Sequence, residues 1–366
     1  MQVEVSRENI TKAVLRAEKV SGKNLTLPVL NCVLLVADRN VFKIKATNLE
    51  LGIEVVVPAK ISQEGVVAVP GGVLASVLNG LSRVDHVTLK VEQDNLHIET
   101  SHGKTVIKAV AYEDFPTLPY LPDAKPFSFD VEHFLQGVRS VWYSASVSMV
   151  KPEQASVYVY LDSGRMYFVA TDSFRLAEKK VAAQGVDGFD SMLIPIKNVS
   201  EISRTLDGFS GAMEVRVTKD QVSFLMDGVY ITSRLIDGSF PDYHQIIPKE
   251  SVTDVTLLKQ DLVNTLKRMT VFSDKFNQVH FSVKPAQKKF TISAQNADVG
   301  ETTDSIEAAI EGEELEINFN HRYISDCFQS IPGDSVTLSF SGLSKPVIIR
   351  GVSDSSFLYL AMPMNR

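Results

Sequence analysis

The chain repeats itself three times. Ala46-Thr47-Asn48 returns as Ala170-Thr171-Asp172 and again as Ala294-Gln295-Asn296, each copy 124 positions after the last. A second marker, Phe115-Pro116, returns as Phe240-Pro241 and more loosely as Met362-Pro363. Similar units strung on one chain restrict the architecture to forms in which such units pack against one another, such as an arc, a ring or an array. A catalytic site tends to break this kind of symmetry, so the repeat bears on function as well as on fold.

A chain of 366 residues is too long for one ordinary core and suits two or three domains. Its 44% hydrophobic and 22% charged residues are typical of a soluble globular protein. No apolar run approaches the roughly 20 residues that span a bilayer. The opening MQVEVSRENITKAV places charges where a secretory leader needs an apolar stretch. Cys32 and Cys327 stand far apart in sequence and are expected to be buried free thiols, which fits a reducing cytoplasm.

Each third opens with an amphipathic helix. SRENITKAVLRAEKV begins at an N-cap, Ser6, with Ile10, Val14, Ala17 and Val20 on one face. DVEHFLQGVRSVWYSAS starts at Asp130 and turns Phe134, Val138 and Val141 inward, and LKQDLVNTLKRMTVFS uses Leu262, Leu266 and Met269 in the same way. A hairpin of alternating strands follows in each third, turning at Asp38-Arg39-Asn40, at Asp162-Ser163-Gly164 and around Pro285-Ala286-Gln287. Second helices follow Pro70, Pro195 and Phe319, and further strands close each unit. Two helices and about eight short strands per unit make an α+β domain with antiparallel sheets. The proline-bearing stretches TLPYLPDAKP and FPDYHQIIPKES place domain limits at 1–120, 121–246 and 247–366.

No constellation for chemistry emerges. The seven histidines form no HxH, HxxxH or HExxH spacing, so no metal site is indicated. Gly103-Lys104-Thr105 resembles the end of a phosphate-binding loop, but the glycine required five positions earlier is Ile98, and the flanks read as strand. No GxSxG, GxGxxG or CxxC occurs, and no catalytic residue or cofactor is assigned.

The net charge of −7 argues against a nucleic-acid partner only if it is evenly spread. It is not. The stretches 6–20 and 258–273 each carry +2, 130–146 carries −1, and the remaining three helices are neutral. The six helices therefore sum to +3 and leave −10 on strands and loops. Such a split describes either ordinary solvated helix faces or a positive helical lining within an acidic shell.

At this point the residues resemble a family. LTLPVLNCVLLV (25–36), VATDSFRLA (169–177), LIDGSFPDYHQIIPK (235–249) and the tail AMPMNR together resemble the bacterial DNA polymerase III beta subunit, the sliding clamp, over the whole chain. The resemblance implies three DNA-clamp domains per chain and a head-to-tail homodimer closing a six-domain ring, with helices lining the hole and double-stranded DNA inside. It implies no chemistry and no cofactor. Partners would be the polymerase III catalytic subunit, the clamp loader, and other DNA polymerases and repair proteins, with no membrane.

The resemblance places DNA contacts at Asn24, Lys197 and Arg204, with Lys12, Arg16 and Arg83 as physical candidates. Asn24 stands where the family often has arginine, and Gly71-Gly72 stand where it tends to be basic. A partner-peptide pocket is implied at Thr171, Ser173, Phe174, Arg175, Leu176, Pro241, Ile246, Asn320, Tyr323, Leu343, Pro346, Leu360, Met362, Pro363 and Met364. Aliphatic side chains and two methionines suit an adaptable apolar trough. For Leu176, Ile246 and Leu360 the alternative is simple core packing. The dimer joint is expected to set Val271 and Phe272 opposite Thr105 and Ile107, with Lys104 and Lys108 facing Glu301 and Asp304. Two other readings compete: a three-domain adaptor that never encircles DNA, and an enzyme using a cleft between domains.

Overall fold

The computed structural model describes residues 1–22, 27–82, 84–187, 189 and 191–364. Six α-helices occur among them: α1 (Arg7–Val20), α2 (Gly71–Gly80), α3 (Val131–Val141), α4 (Ile196–Leu206), α5 (Lys259–Val271) and α6 (His321–Asp326). None is long and apolar enough to cross a membrane. The predicted helical faces are the buried ones: Ile10, Val14, Ala17 and Val20 on α1, Phe134, Val138 and Val141 on α3, and Leu262, Leu266 and Met269 on α5. Ser6 occupies the N-cap of α1, but its hydroxyl makes no capping bond. Instead the Arg7 N–H donates to the Asp85 carbonyl at 2.9 Å, satisfying one donor of the first turn from a neighbouring segment.

The hairpins form where the alternation places them. Cys32–Asp38 pairs with Val41–Thr47, Ser156–Asp162 with Arg165–Thr171, and Gln278–Lys284 with Lys289–Asn296. Arg39 and Asn40 adopt positive φ in the first turn, as do Ser163 and Gly164 in the second, where short turn residues tolerate it. In the third, Pro285–Gln287 winds a 3-10 turn that ends on Lys288 in the left-handed region.

The chain divides into two compact units. The first holds residues 1–132, 186–189 and 200–235, and the second holds 133–185, 190–199 and 236–366. The first contains a five-stranded and an eight-stranded antiparallel sheet, and the second a twelve-stranded one. The units do not follow the repeats, because sheets continue from one repeat into the next. Leu51–Val57 of the first repeat pairs with Val229–Arg234 of the second. Arg175–Ala182 of the second pairs with Asp354–Ala361 of the third in the same way.

Within the first unit α1 packs on α2 and on the strands Val41–Thr47 and Leu51–Val57. In the second unit Gly137 lets α3 approach its sheet closely: a Cβ there would lie 2.3 Å from the Phe168 ring. Both cysteines are free and buried.

Candidate functional site

The repeated Ala-Thr-Asx motif is a turn. In its second copy Thr171 Oγ1 donates to the Arg175 carbonyl at 2.7 Å and accepts from the Ser173 N–H at 3.1 Å. Asp172 Oδ1 accepts from the N–H groups of Phe174 and Arg175, each at 3.0 Å. The first copy makes the same four bonds: Thr47 to the Leu51 carbonyl and from the Leu49 N–H, Asn48 from the Glu50 and Leu51 N–H groups. Short polar side chains thus satisfy the backbone where the chain reverses, and Leu49 and Ser173 both take positive φ. What differs between copies is what the turn presents. The second presents Phe174, which is 60% exposed.

Arg175 braces this turn. Its Nε donates to Asp172 at 2.9 Å, its Nη1 donates to Asp326, and its guanidinium lies 4.8 Å over the Tyr323 ring. Tyr323 in turn stacks on Phe174, with ring centroids 6.5 Å apart. With both carboxylates engaged, the charge of Arg175 is matched inside the chain, and its role is to position Phe174 and Tyr323.

Sheet register brings the C-terminal strand alongside this turn. Arg175 and Leu176 lie opposite Ala361 and Leu360. The Met362 N–H donates to the Phe174 carbonyl and the Met364 N–H to the Asn318 carbonyl, each at 2.8 Å. Val347 faces Ala361, which sets buried Pro346 one step away, at the level of Met362.

Leu176 and Leu360 are 1% and 2% exposed and belong to a core cluster with Val169, Tyr243, Ile348 and Leu358. For these two the core reading holds. Ile246 and Leu343 are 51% and 64% exposed, while Met362, Pro363, Met364 and Tyr323 are half-buried. Pro241 and Ser173 are exposed and Thr171 is buried, while Asn320 caps α6 by accepting from the Arg322 N–H at 2.9 Å. Exposed Phe174, Ile246 and Leu343 and half-buried Tyr323, Met362, Pro363 and Met364 all belong to the second unit, as does the buried cluster of Leu176 and Leu360.

Sequence reasoning missed several residues here. Tyr243 donates its phenol to the buried carboxylate of Glu178 and lies 2.8 Å from the Tyr160 hydroxyl. Burial, reinforced by the Glu178 charge, raises the Tyr243 pKa well above the usual phenol range. Gln154 accepts from Ser173 Oγ at 3.0 Å. Asp172 could have been found from its place in the repeated motif. Asp326 carries no such signal, because it reaches Arg175 from another repeat.

The predicted DNA contacts are partly engaged within the chain. Lys12 lies 2.5 Å from Glu8 and Arg204 lies 2.7 Å from Glu201, both as exposed pairs along a helix. Arg16 sits 4.3 Å over the Phe209 ring. Lys197 is exposed in the first turn of α4. Asn24 and Arg83 lie outside the described residues.

The predicted joint residues fall on two strand edges and a helix end. Lys104, Thr105, Ile107 and Lys108 lie on Gly103–Lys108, the last strand of the five-stranded sheet. Ile107 is buried, and Lys104 is held by Glu92 at 3.2 Å and Glu99 at 3.3 Å. Residues 300–307 pair on one side with Lys289–Asn296, whereas Thr253–Leu258 meets this strand only at 308–312. One edge of 300–307 is therefore unpaired among the described residues. Val271 is 64% exposed and Phe272 is half-buried against Gly300. Glu301 is exposed, whereas Asp304 is engaged by Arg268 of its own chain.

Three family models match in order along the chain. They describe the N-terminal, central and C-terminal domains of the DNA polymerase III beta subunit, at residues 1–119, 129–242 and 244–365. The chain belongs to the DNA polymerase III beta subunit family, the DNA sliding clamps.

A beta sliding clamp of Synechocystis sp. is 27% identical over 388 residues, covering 100% of this chain and 99% of its own. That of Bacillus subtilis is 24% identical over 376 residues with the same coverage. The crystal structure of the Thermotoga maritima DNA polymerase III beta subunit matches with a TM-score of 0.94 at 27% identity, covering 100% of this chain and 99% of that one. The beta-subunit fold of three α+β clamp domains accounts for the threefold repeat.

Proposed function

We propose that this beta subunit joins a second copy head to tail, closes around duplex DNA, and tethers partner proteins through the trough at Phe174, Tyr323 and Met362. Its three domains, in this reading, span 1–120, 121–246 and 247–366. The observation that carries the ring is that two of the strand edges left unpaired among the described residues, 103–108 and 300–307, are those on which the expected joint residues fall. An exposed edge invites another strand. Two different edges on each copy make a heterologous joint, which closes when the rotation per copy allows it.

The physics of the task favours such a ring. Sequence-independent phosphate binding has a Kd of roughly 10⁻⁴–10⁻⁶ M at physiological salt. With association near 10⁷ M⁻¹s⁻¹, dwell times are on the order of 0.1 s or less. A closed ring holds on by topology while weak contacts let it slide. Helical cations already half-matched by Glu8 and Glu201 suit that need, because strong contacts would impede motion.

The trough takes short, partly apolar segments, which we assign to the polymerase III catalytic subunit, the clamp loader and other polymerases and repair proteins. The subunit performs no chemistry of its own. Buried free thiols support a reducing cytoplasm as its compartment. Titration of a synthetic apolar peptide into the full chain and into a chain lacking residues 362–366 tests the trough. Loss of binding in the shortened chain is expected, and full retention would overturn the assignment.

A further inference from the structure

The trough lies where a strand of one repeat pairs with a strand of the next, and the first unit contains the corresponding place. Register makes the correspondence residue by residue. Glu178 faces Leu358 and Leu176 faces Leu360 in the second unit, as Glu54 faces Tyr230 and Gly52 faces Thr232 in the first. Ile348 lies beside Leu360 as Ser223 lies beside Thr232. At this first junction the position of the trough itself is closed. Leu118 sits over Gly52, where a Cβ would lie 2.6 Å from its methyl, and leaves a cavity of only about 20 Å³.

One step along the same face the sheet opens into a pocket of about 400 Å³, lined by Glu54, Tyr120, Leu121, Pro122, Glu214, Arg216, Ser223, Leu225 and Tyr230. That volume falls in the range of ligand sites. The pocket is built. Arg216 donates to the carbonyls of Leu121, Pro122 and Ala124 and fixes the overlying segment. Tyr230 donates to the Pro119 carbonyl at 2.8 Å.

Its chemistry names the occupant. The rings of Tyr120 and Tyr230 stack with centroids 4.9 Å apart, and Leu225, Leu121 and Pro122 add apolar walls. The charges are already matched: Glu54 is held by Lys43, Lys45 and Tyr120, and Arg216 pairs with Glu214. A charged ligand would find no free counter-charge, whereas a flat neutral one extends the aromatic stack.

We propose that this pocket binds a neutral aromatic side chain, tryptophan or tyrosine, carried by an extended partner segment. The choice of a peptide rests on the correspondence with the trough of the second unit. The closed cavity under Leu118 limits the contact to one anchoring side chain.

The test uses the intact protein and N-acetyl-L-tryptophanamide at millimolar concentration, read by ligand-observed saturation-transfer NMR. N-acetyl-L-leucinamide serves as the aliphatic comparator. Saturation transfer to the tryptophan ring is expected in the parent chain and in Phe174→Ala. It is expected to vanish in both Leu225→Asp and Leu225→Lys, which change an exposed side chain and are checked for folding by their melting temperatures. Signal that survives both Leu225 variants, or equal transfer to the leucine amide, would overturn the proposal. Signal lost only in Phe174→Ala would place the probe in the trough and overturn it too. An apolar peptide whose binding ignores Phe174→Ala would count against the trough alone.

Discussion

The backbone N–H of Met362 donates to the carbonyl of Phe174 at 2.8 Å, and Arg234 makes the same bond to Glu50 at 2.8 Å one repeat earlier. The two junctions share a backbone and differ in the side chains set on it. Where one offers Phe174 and Met362, the other offers Glu50 and Arg234. The repeat therefore supplies the same backbone scaffold twice and sets different side chains on it.

Phe174→Ala is expected to weaken an apolar partner peptide about tenfold, equivalent to about 1.4 kcal/mol, as for an exposed aromatic anchor. Glu50→Ala is expected to leave the affinity unchanged. Isothermal titration of one synthetic peptide into both variants checks the pair, with melting temperatures close to that of the parent because both side chains are exposed.

Tyr243→Phe removes a donor from Glu178, which is 3% exposed and keeps its contact with Lys180 at 3.1 Å. The expected loss is about 1–3 kcal/mol, the usual penalty for a buried acceptor deprived of its partner. Tyr120→Phe is expected to cost less, because Glu54 retains Lys43 and Lys45. Urea midpoints of the two variants give the comparison.

Acid sensitivity follows from Glu54. Its burial opposes ionisation, but bonds from Lys43, Tyr120 and Lys45 outweigh that and hold its pKa below the ordinary glutamate value. A carboxyl whose folded pKa is depressed contributes stability above its unfolded pKa and loses it as the pH falls through the folded one. Asp354, where partial burial is likewise outweighed by bonds from Ser356 and Lys179, acts in the same direction. Urea midpoints should fall on acidification below the ordinary carboxylate range, and Glu54→Gln should flatten that fall while lowering stability at neutral pH.

Val271→Ala combined with Phe272→Ala is expected to yield monomers. Val271 is 64% exposed, so its truncation disturbs little within the chain, while Phe272 also covers Gly300. Sedimentation velocity reads the outcome directly. An unchanged dimer mass would displace the joint from this helix end.

Much of the fold was legible because it rests on local signals. Apolar spacing located the buried faces of α1, α3 and α5, and Arg39-Asn40 and Ser163-Gly164 located hairpin turns. The repeated Thr-Asx pair marked the period of the repeat, but the turn it makes and its four hydrogen bonds to the backbone were not evident from the sequence. Pairings between repeats were hidden, since nothing local ties Arg175 to Ala361 or Glu54 to Tyr230. The same gap explains the braces that were missed. Asp326 reaches Arg175 and Arg268 reaches Asp304 through folding alone, and burial assigns Leu176 and Leu360 to the core.

The central claim is that the protein holds DNA by encircling it. The direct measurement is retention of the loaded protein on closed circular duplex DNA during gel filtration, before and after a single cut by a restriction enzyme. Retention on the circle and loss after linearisation are predicted, at a salt concentration that abolishes simple phosphate binding. Equal retention on circular and linear DNA, or on neither, would contradict the ring.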